Sequence, residues 1–299
     1  MGSNLSARRI GLKLAATRAT TDEKLVRSWV DSLVSAHSQR NFRATADRFL
    51  AVMPMGLQKA TVEDVRDALD ALTVGASDAT ARQYVLRVKS LLSYAHRLGY
   101  APFNASVAIK VKPDQSQANL AKRIISEVEV GLLMRAARSK RDRMLLQVGY
   151  AGGLRVSELA RLTWDDVLPR GQSVQLLVTG KGGRVRQVLL PETVSGSLLA
   201  LRGDAGSNDP VFASRNGGHL TAHTIHVMVK RTAKRAGINE AVSPHWLRHA
   251  HGSHALDRGA TLAEVQMTLG HANVATTSGY LHARPDSSSG LKLDAGIFR

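Results

Sequence analysis

The chain has 299 residues, no cysteine, and a formal net charge of +17 at pH 7 with a sequence pI near 10.8. This length allows two domains, and the lack of cysteine excludes disulfides and thiolate metal sites, which agrees with a cytoplasmic protein. The basic balance predicts a polyanionic partner, with nucleic acid the first candidate, and no apolar run is long enough to favour a membrane.

Residues 1–20 form a basic segment without acidic residues. It contains four cations, Arg8, Arg9, Lys13 and Arg18. Such a segment is typical of a flexible tail that touches phosphates or is simply solvated.

Residues 21–110 show apolar residues at helical spacing and predict a four-helix bundle. The predicted helix starts are Thr21 or Asp22, Asn41, Thr61 and Ser77. The fourth helix should carry its cations on the exposed side, where they are candidates for contact with the DNA backbone or form an ordinary solvated face: Arg82, Arg87, Lys89 and Arg97.

Residues 111–124 lack apolar periodicity and read as a linker between domains. Ser126 with Glu129 three residues later is a capping box that begins a second domain, 125–284. The last segment, 285–299, carries apolar residues that need a surface, either on their own domain or on a neighbouring subunit.

The second domain contains an arginine at a predicted helix start, directly after Gly152-Gly153-Leu154. Glu158 follows Arg155 by three residues, so its carboxylate can orient the guanidinium; the alternative is an ordinary exposed helix pair.

Two β-rich runs, 174–178 and 185–190, flank a glycine-rich turn that holds Lys181. They predict a hairpin, and the turn lacks the spacing of a nucleotide-binding loop. The fold expected is therefore mainly α, with a small antiparallel β-sheet in the second domain.

Residues 221–236 predict a further helix with an apolar inner side. Its cations lie mostly on the outer side and are candidates for phosphate contact: Lys230, Arg231, Lys234 and Arg235.

The stretch from His245 to Tyr280 carries the most chemistry. His245 and Arg248 share one face of a predicted helix, where an imidazole and a guanidinium suit a phosphodiester. Gly270 predicts a helix end, His271 adds a second imidazole, and Tyr280 is a candidate nucleophile.

This set resembles the tyrosine recombinase (phage integrase, Xer-like) family, which shows His-x-x-Arg, then Leu-Gly-His, then a tyrosine nine residues later. The resemblance assigns a first catalytic arginine to Arg155, in Gly-Gly-Leu-Arg-x-x-Glu-Leu, and a hairpin lysine to Lys181. Trp246 stands where many relatives have Asp, at a position that is not catalytic.

The resemblance implies a helical core-binding (SAM-like) domain followed by an α+β catalytic domain. It implies site-specific DNA recombination through a 3′-phosphotyrosine intermediate, without metal, ATP or other cofactor. The implied partners are double-stranded DNA with a recombination site, a homotetramer on that DNA whose tails dock on neighbours, and in some cases an accessory DNA-binding protein.

Three alternatives remain open. A type IB topoisomerase uses similar chemistry but reseals the same strand, and a non-catalytic regulator would bind DNA without using the tyrosine. A metal hydrolase would use His245 and His249, which can chelate at i and i+4, but Arg248 between them would repel the metal and no zinc-protease motif is present.

Overall fold

The structure, a computed structural model, describes residues 16–113 and 120–271. The chain divides into two compact units, 1–115 and 116–299. Tyr280 and the C-terminal segment 285–299 lie outside the described residues, as do Arg8, Arg9 and Lys13 of the basic segment.

Between residues 16 and 113, the first unit contains four helices: α1 (Asp22–Asp31), α2 (Ala36–Val52), α3 (Val62–Thr73) and α4 (Asp78–Arg97). A Ser or Thr side chain accepts a backbone N–H at the start of each helix, namely Thr21, Ser35, Thr61 and Ser77. Their apolar sides enclose one core that includes Leu25, Phe49, Val65 and Leu91. The predicted helical bundle is confirmed.

Helix α2 begins earlier than the predicted start at Asn41. Ser35 caps it by accepting the N–H of Ser38 at 3.4 Å. The Asn41 side chain instead lies within the helix and contacts the His37 ring at 2.9 Å. The prediction placed the start too late because it followed the apolar residues, which begin only at Phe42.

The second unit surrounds a larger core with seven helices and three strands in the described residues. The helices are α5 (Glu127–Arg135), α6 (Lys140–Ala151), α7 (Val156–Arg161), α8 (Glu192–Arg202), α9 (Ala222–Ala236), α10 (Pro244–Asp257) and α11 (Leu262–Leu269). The strands are β1 (Val167–Arg170), β2 (Ser173–Thr179) and β3 (Val185–Leu190), paired antiparallel in that order. The predicted mainly α fold with a small antiparallel sheet is confirmed.

Strand β1 and helix α8 were not among the predicted elements. Only Val167 of β1 is buried, and Pro169 interrupts its sequence, so the strand carries little periodic signal. Helix α8 follows Pro191 directly and contains Gly196, which weakens a helical pattern. Both elements are stabilised by packing against β2, which sequence periodicity does not reveal.

Two glycines with positive φ allow α6, α10 and α11 to approach one another closely. Gly153 has φ +58, and a Cβ there would stand 2.6 Å from the Leu269 side chain and 2.9 Å from the His251 ring. Gly270 ends α11 in the left-handed conformation, at φ +62. No helix in the described ranges is long and apolar enough to cross a membrane.

Candidate active site

Arg155 is held at the N-terminus of α7 by its own helix. The Arg155 N–H donates to Glu158 Oε2 at 2.7 Å, and Arg155 Nη1 donates to Glu158 Oε1 at 2.9 Å. The Arg155 side chain remains 37% exposed, whereas that of Glu158 is 2% exposed. The carboxylate thus fixes the guanidinium from the protein side while the arginine still faces solvent.

Glu158 also binds a second arginine. Arg186 on β3 donates through Nη1 to Oε1 and through Nη2 to Oε2, each at 2.8 Å. Burial alone would raise the pKa of Glu158, but the hydrogen bonds and charges of Arg186 and Arg155 outweigh it and lower this pKa to about 2. The carboxylate is therefore ionised throughout the physiological range, and Glu158 together with its two arginines carries one net positive charge.

Arg248 is buried on α10 and is 1% exposed. Its Nη1 donates to the carbonyl of Gly153 and its Nη2 to that of Leu269, each at 2.6 Å. Two short charge-assisted bonds from one planar group define the plane of the guanidinium. Arg248 therefore has one orientation, set by the main chain on both sides of the site.

Three successive carbonyls at the end of α11 each accept a hydrogen bond from a different arginine. In chain order these are Thr268 from Arg186 at 2.7 Å, Leu269 from Arg248 at 2.6 Å and Gly270 from Arg155 at 3.2 Å. The last carbonyls of a helix lack helical partners and form the negative end of its dipole, so cations are favoured there. The end of α11 thereby gathers arginines from α7, β3 and α10.

The histidines near this cluster favour their neutral forms. Burial first, and then the charges of Arg248 and Arg155, lower the pKa of His271 to about 4. Desolvation and the same arginines, with Arg123, also lower the pKa of His245. At neutral pH both imidazoles are thus proton acceptors as well as hydrogen-bond partners.

His249 lies against His245, with ring centroids 4.1 Å apart in an edge-to-face arrangement. Burial, followed by the charge of His245, lowers the pKa of His249 to about 3. Within the described residues, no group of three His, Asp or Glu side chains is placed to hold a metal ion.

The structure brings four of the six residues predicted to be catalytic into this region: Arg155, His245, Arg248 and His271. Glu158 lies where it was expected to orient Arg155. Lys181 lies in the turn between β2 and β3, where Gly182 and Gly183 both have φ of +76. Tyr280, the proposed nucleophile, is outside the described residues.

The basic residues of α9 border an open groove of about 930 Å³ on the second unit. Arg231 and Arg235 line it, together with Arg138 from the α5–α6 connection, Arg141 from the first turn of α6, and His223. Lys230 and Lys234 are exposed on the same helix but do not line the groove, and Lys234 lies 4.0 Å from Glu240.

The basic residues of α4 are less exposed than predicted, because most of them bind their own unit. Arg82 Nε donates to the Lys112 carbonyl at 3.1 Å, and Lys89 Nζ donates to the carbonyls of Ser106 and Ile109 at 2.6 Å each. Arg87 donates to the Thr45 hydroxyl at 3.0 Å, lies over the ring of Phe42, and is partly buried. Arg97 is exposed.

Sequence reasoning missed Arg186, although the sequence contains a signal for it. Arg186 lies on the same face of β3 as Val188 and Leu190, which are buried, because alternate residues of a strand share a face. A cation on the inner side of a strand needs a buried partner, here Glu158. The backbone carbonyls at the end of α11 left no sequence signal of this kind.

The comparisons with known proteins agree with one another. The model of the phage integrase family matches residues 121–286. The tyrosine recombinase XerC of Xanthomonas axonopodis pv. citri is 32% identical over 286 residues, which cover 88% of this chain and 92% of the relative.

Solved structures share the fold at lower identity. XerH site-specific recombinase, bound to its palindromic difH substrate, is 21% identical with a TM-score of 0.70 and covers 94% of this chain and 85% of its own. A lambda integrase tetramer bound to a Holliday junction is 15% identical with a TM-score of 0.69 and covers 91% and 83%.

Proposed function

Because this chain belongs to the phage integrase family and is a Xer-like tyrosine recombinase, we propose that Tyr280 cuts and rejoins DNA at a specific site through a 3′-phosphotyrosine intermediate. The observation that carries the assignment of residues is the pairing of Arg155 and Arg248 with adjacent carbonyls at the end of α11. His271 follows these carbonyls directly, and Tyr280 follows His271 by nine residues.

The cleavage step uses the cations to neutralise the phosphate. Arg155 and Arg248, with His271, bind the non-bridging oxygens and stabilise the charge that spreads over them in the transition state. Fixed guanidiniums are suited to this task, because they need no reorganisation as the reaction proceeds.

Two protons move during cleavage. The Tyr280 hydroxyl forms a bond to phosphorus and gives its proton to His245, whose lowered pKa leaves it neutral and able to accept. The bond from phosphorus to the 5′ oxygen breaks, and Lys181 donates the proton to that oxygen. A 5′-hydroxyl from a partner duplex then attacks the phosphotyrosine in the reverse sequence, so no external energy source is consumed.

DNA binding is assigned to both units. In the second unit, the groove beside α9 places Arg231 and Arg235 with Arg138, a density of charge that suits a phosphate backbone. Lys230 and Lys234 extend this surface. In the first unit, Arg97 is the exposed cation of α4, and the contributions of Arg82, Arg87 and Lys89 require that they exchange internal partners for phosphates.

The assembly proposed is four protomers on two DNA sites, with C-terminal segments linking neighbours and an accessory DNA-binding protein as a further partner. The fold shared with the lambda integrase tetramer supports this arrangement. Since its substrate is DNA, the compartment proposed is the cytoplasm.

The test is covalent capture. Duplexes that bind the protein are selected from a random-sequence pool, nicked near the centre of the selected site and incubated with protein in the presence of EDTA. We expect a protease-sensitive DNA adduct on a denaturing gel for the native chain and for Tyr150→Phe, a matched loss of a hydroxyl in the second unit, and none for Tyr280→Phe.

Two further outcomes separate the alternatives. Transfer of the captured strand to a second duplex supports recombination, whereas relaxation of supercoiled DNA without transfer would indicate a topoisomerase. Tight binding without any adduct, and full activity of Tyr280→Phe in a binding assay, would indicate a regulator and overturn the proposal.

A further inference from the structure

Arg186 makes a set of contacts that no other described arginine makes. Its side chain is 13% exposed. Both Nη groups donate hydrogen bonds to Glu158, and Nε donates one to the carbonyl of Thr268. One planar group thus links three elements: β3, which carries it, α7, which carries Glu158, and the end of α11. A planar guanidinium with donors on three nitrogens can do this, whereas an ammonium cannot reproduce the geometry.

The contact with Glu158 reaches Arg155. Each carboxylate oxygen of Glu158 accepts one bond from Arg186 and one from Arg155. After the opposing effect of burial, the hydrogen bond from Arg186 is the largest influence on the pKa of Glu158, and it lowers this pKa. Without Arg186, the carboxylate would be buried with Arg155 as its remaining partner, and its charged form would be less favoured.

The contact with Thr268 reaches the corner that ends at His271. Gly270 lies under the Arg186 side chain so closely that a Cβ at this position would stand 2.9 Å from Arg186 Cδ. Glycine therefore serves two purposes at this position: it adopts the left-handed conformation, and its lack of a side chain leaves room for Arg186. Arg186 thus sets the separation between β3 and the end of α11.

The position of Arg186 on the hairpin relates this corner to Lys181. Arg186 pairs with Val178, one register position further from the turn than the pair Thr179 and Val185. The turn with Lys181 begins directly beyond that last pair. A side chain anchored at this point limits how far the base of the hairpin can move away from α7 and α11.

Resting on the proposed function, we propose that Arg186 is a positioning residue for DNA cleavage: it holds Glu158 against Arg155 and ties the base of the Lys181 hairpin to the Gly270–His271 corner. Arg186 itself does not touch the phosphate. It brings groups from the hairpin, α7 and the end of α11 into one fixed arrangement before DNA binds.

The experiment measures the rate of adduct formation in a single turnover on the nicked duplex, at saturating DNA, for full-length protein. The variants are Arg186→Gln, Arg186→Lys and Glu158→Gln, with the double variant of Arg186→Gln and Glu158→Gln. Arg170→Gln is the matched control, because Arg170 is an exposed arginine of the same sheet that contacts Gln175. Thermal unfolding and DNA affinity are measured for each variant.

We expect Arg186→Gln to form adduct roughly 10²-fold more slowly, since a small displacement of a catalytic group can cost that much. Arg186→Lys should lose less, and Arg170→Gln should lose nothing. DNA affinity should change little. The double variant should lose less than the product of the two single losses, because both remove the same link to Arg155.

The pH profile separates positioning from simple stabilisation. The ratio of the Arg186→Gln rate to the native rate should fall as pH decreases from 7 to 5, because Glu158 loses its main hydrogen bond and takes up a proton more readily. The charge of Arg186 also lowers the pKa of His271, so the ratio is measured for Arg186→Lys as well, because that variant keeps the charge and isolates the effect on Glu158. A purely structural loss would leave the ratio independent of pH in folded protein.

Rates within twofold of the native rate for folded Arg186→Gln or Arg186→Lys would overturn the proposal, and so would a flat ratio or fully multiplicative losses. If Arg186→Gln does not fold, Arg186→Lys and its pH ratio decide. Failure of the native chain itself to form adduct would count against the proposed function instead, so the two failures are distinguishable.

Discussion

The arginine cluster of the second unit and the basic side of α4 in the first unit use the same contact for different ends. In both regions, cationic side chains donate to backbone carbonyls, at 2.6 to 3.2 Å. In the cluster most of these carbonyls lie at one helix end beside His271, while in α4 they belong to the segment 106–112, which follows that helix. A cation bound to backbone carbonyls can therefore be part of a candidate active site or can simply fix a loop. The residues next to the carbonyls distinguish the two cases.

The largest expected difference between the two regions is in the rate of adduct formation after one arginine is removed from each. Arg248→Ala should slow adduct formation at saturating DNA by roughly 10³-fold, since it removes charge stabilisation from the phosphate. Arg82→Ala should leave that rate within about twofold, because Arg82 contacts the Lys112 carbonyl. Single-turnover capture compares the two, and similar losses would contradict the distinction.

A second comparison concerns carboxylates. Glu158→Gln should lower the free energy of unfolding by about 3 kcal/mol, because it leaves Arg155 and Arg186 without their buried counter-ion. Glu127 binds Arg258 with equally short bonds, at 2.8 and 2.7 Å, but this pair is exposed. Glu127→Gln should therefore leave the urea midpoint unchanged within error.

Equal shifts of the urea midpoint for these two variants would mean that the length of a hydrogen bond, and not burial, sets its contribution.

The pH dependence of stability tests the neutral histidines behind the cluster. Burial lowers the pKa of His251 from 6.5 to about 4, opposed by the hydrogen bond that its imidazole donates to the Tyr150 backbone and assisted by the charge of Arg248. Between these values the unfolded chain binds more protons, so the stability contributed by neutral His251 is complete above pH 6.5 and declines as pH falls towards 4.

The free energy of unfolding should decrease between pH 7 and pH 4 in the native protein. In His251→Phe this decrease should be smaller by about 2 kcal/mol. The exposed His226 on α9 supplies the matched substitution for comparison, His226→Phe. Urea denaturation at four or five pH values measures both. An unchanged slope in His251→Phe would show that this imidazole is not neutral in the folded state.

The smallest expected effect separates structural from DNA-facing cations within α4. Lys89→Met should destabilise the first unit by about 1–2 kcal/mol, because the carbonyls of Ser106 and Ile109 lose their donor. Arg97→Met should weaken DNA binding and reduce its salt dependence, with little change in stability. Amide hydrogen exchange of α4 and binding titrations at two salt concentrations distinguish them, and the reverse pattern would exchange the two roles.

Local signals in the sequence were sufficient for much of the fold. Ser126 and Glu129 form the predicted capping box, and Thr61, predicted as a helix start, forms another with Asp64, because the partners lie within one turn. Gly270 ends α11 for the same local reason. Ser35 and β1 were missed, because an apolar pattern does not mark a cap that precedes it or a strand that contains proline.

The sequence by itself determined which residues we propose to act on a phosphate: Arg155, Arg248, His245 and His271 stand at spacings typical of one family. Only the tertiary structure decided how these groups are held. The end of α11 meets α7, β3 and α10, so its carbonyls bind arginines from all three. Every residue has the same backbone carbonyl, so the sequence does not indicate which carbonyls accept these bonds. For the same reason Arg186 became a central contact, since its partners Glu158 and Thr268 are 28 and 82 residues away along the chain.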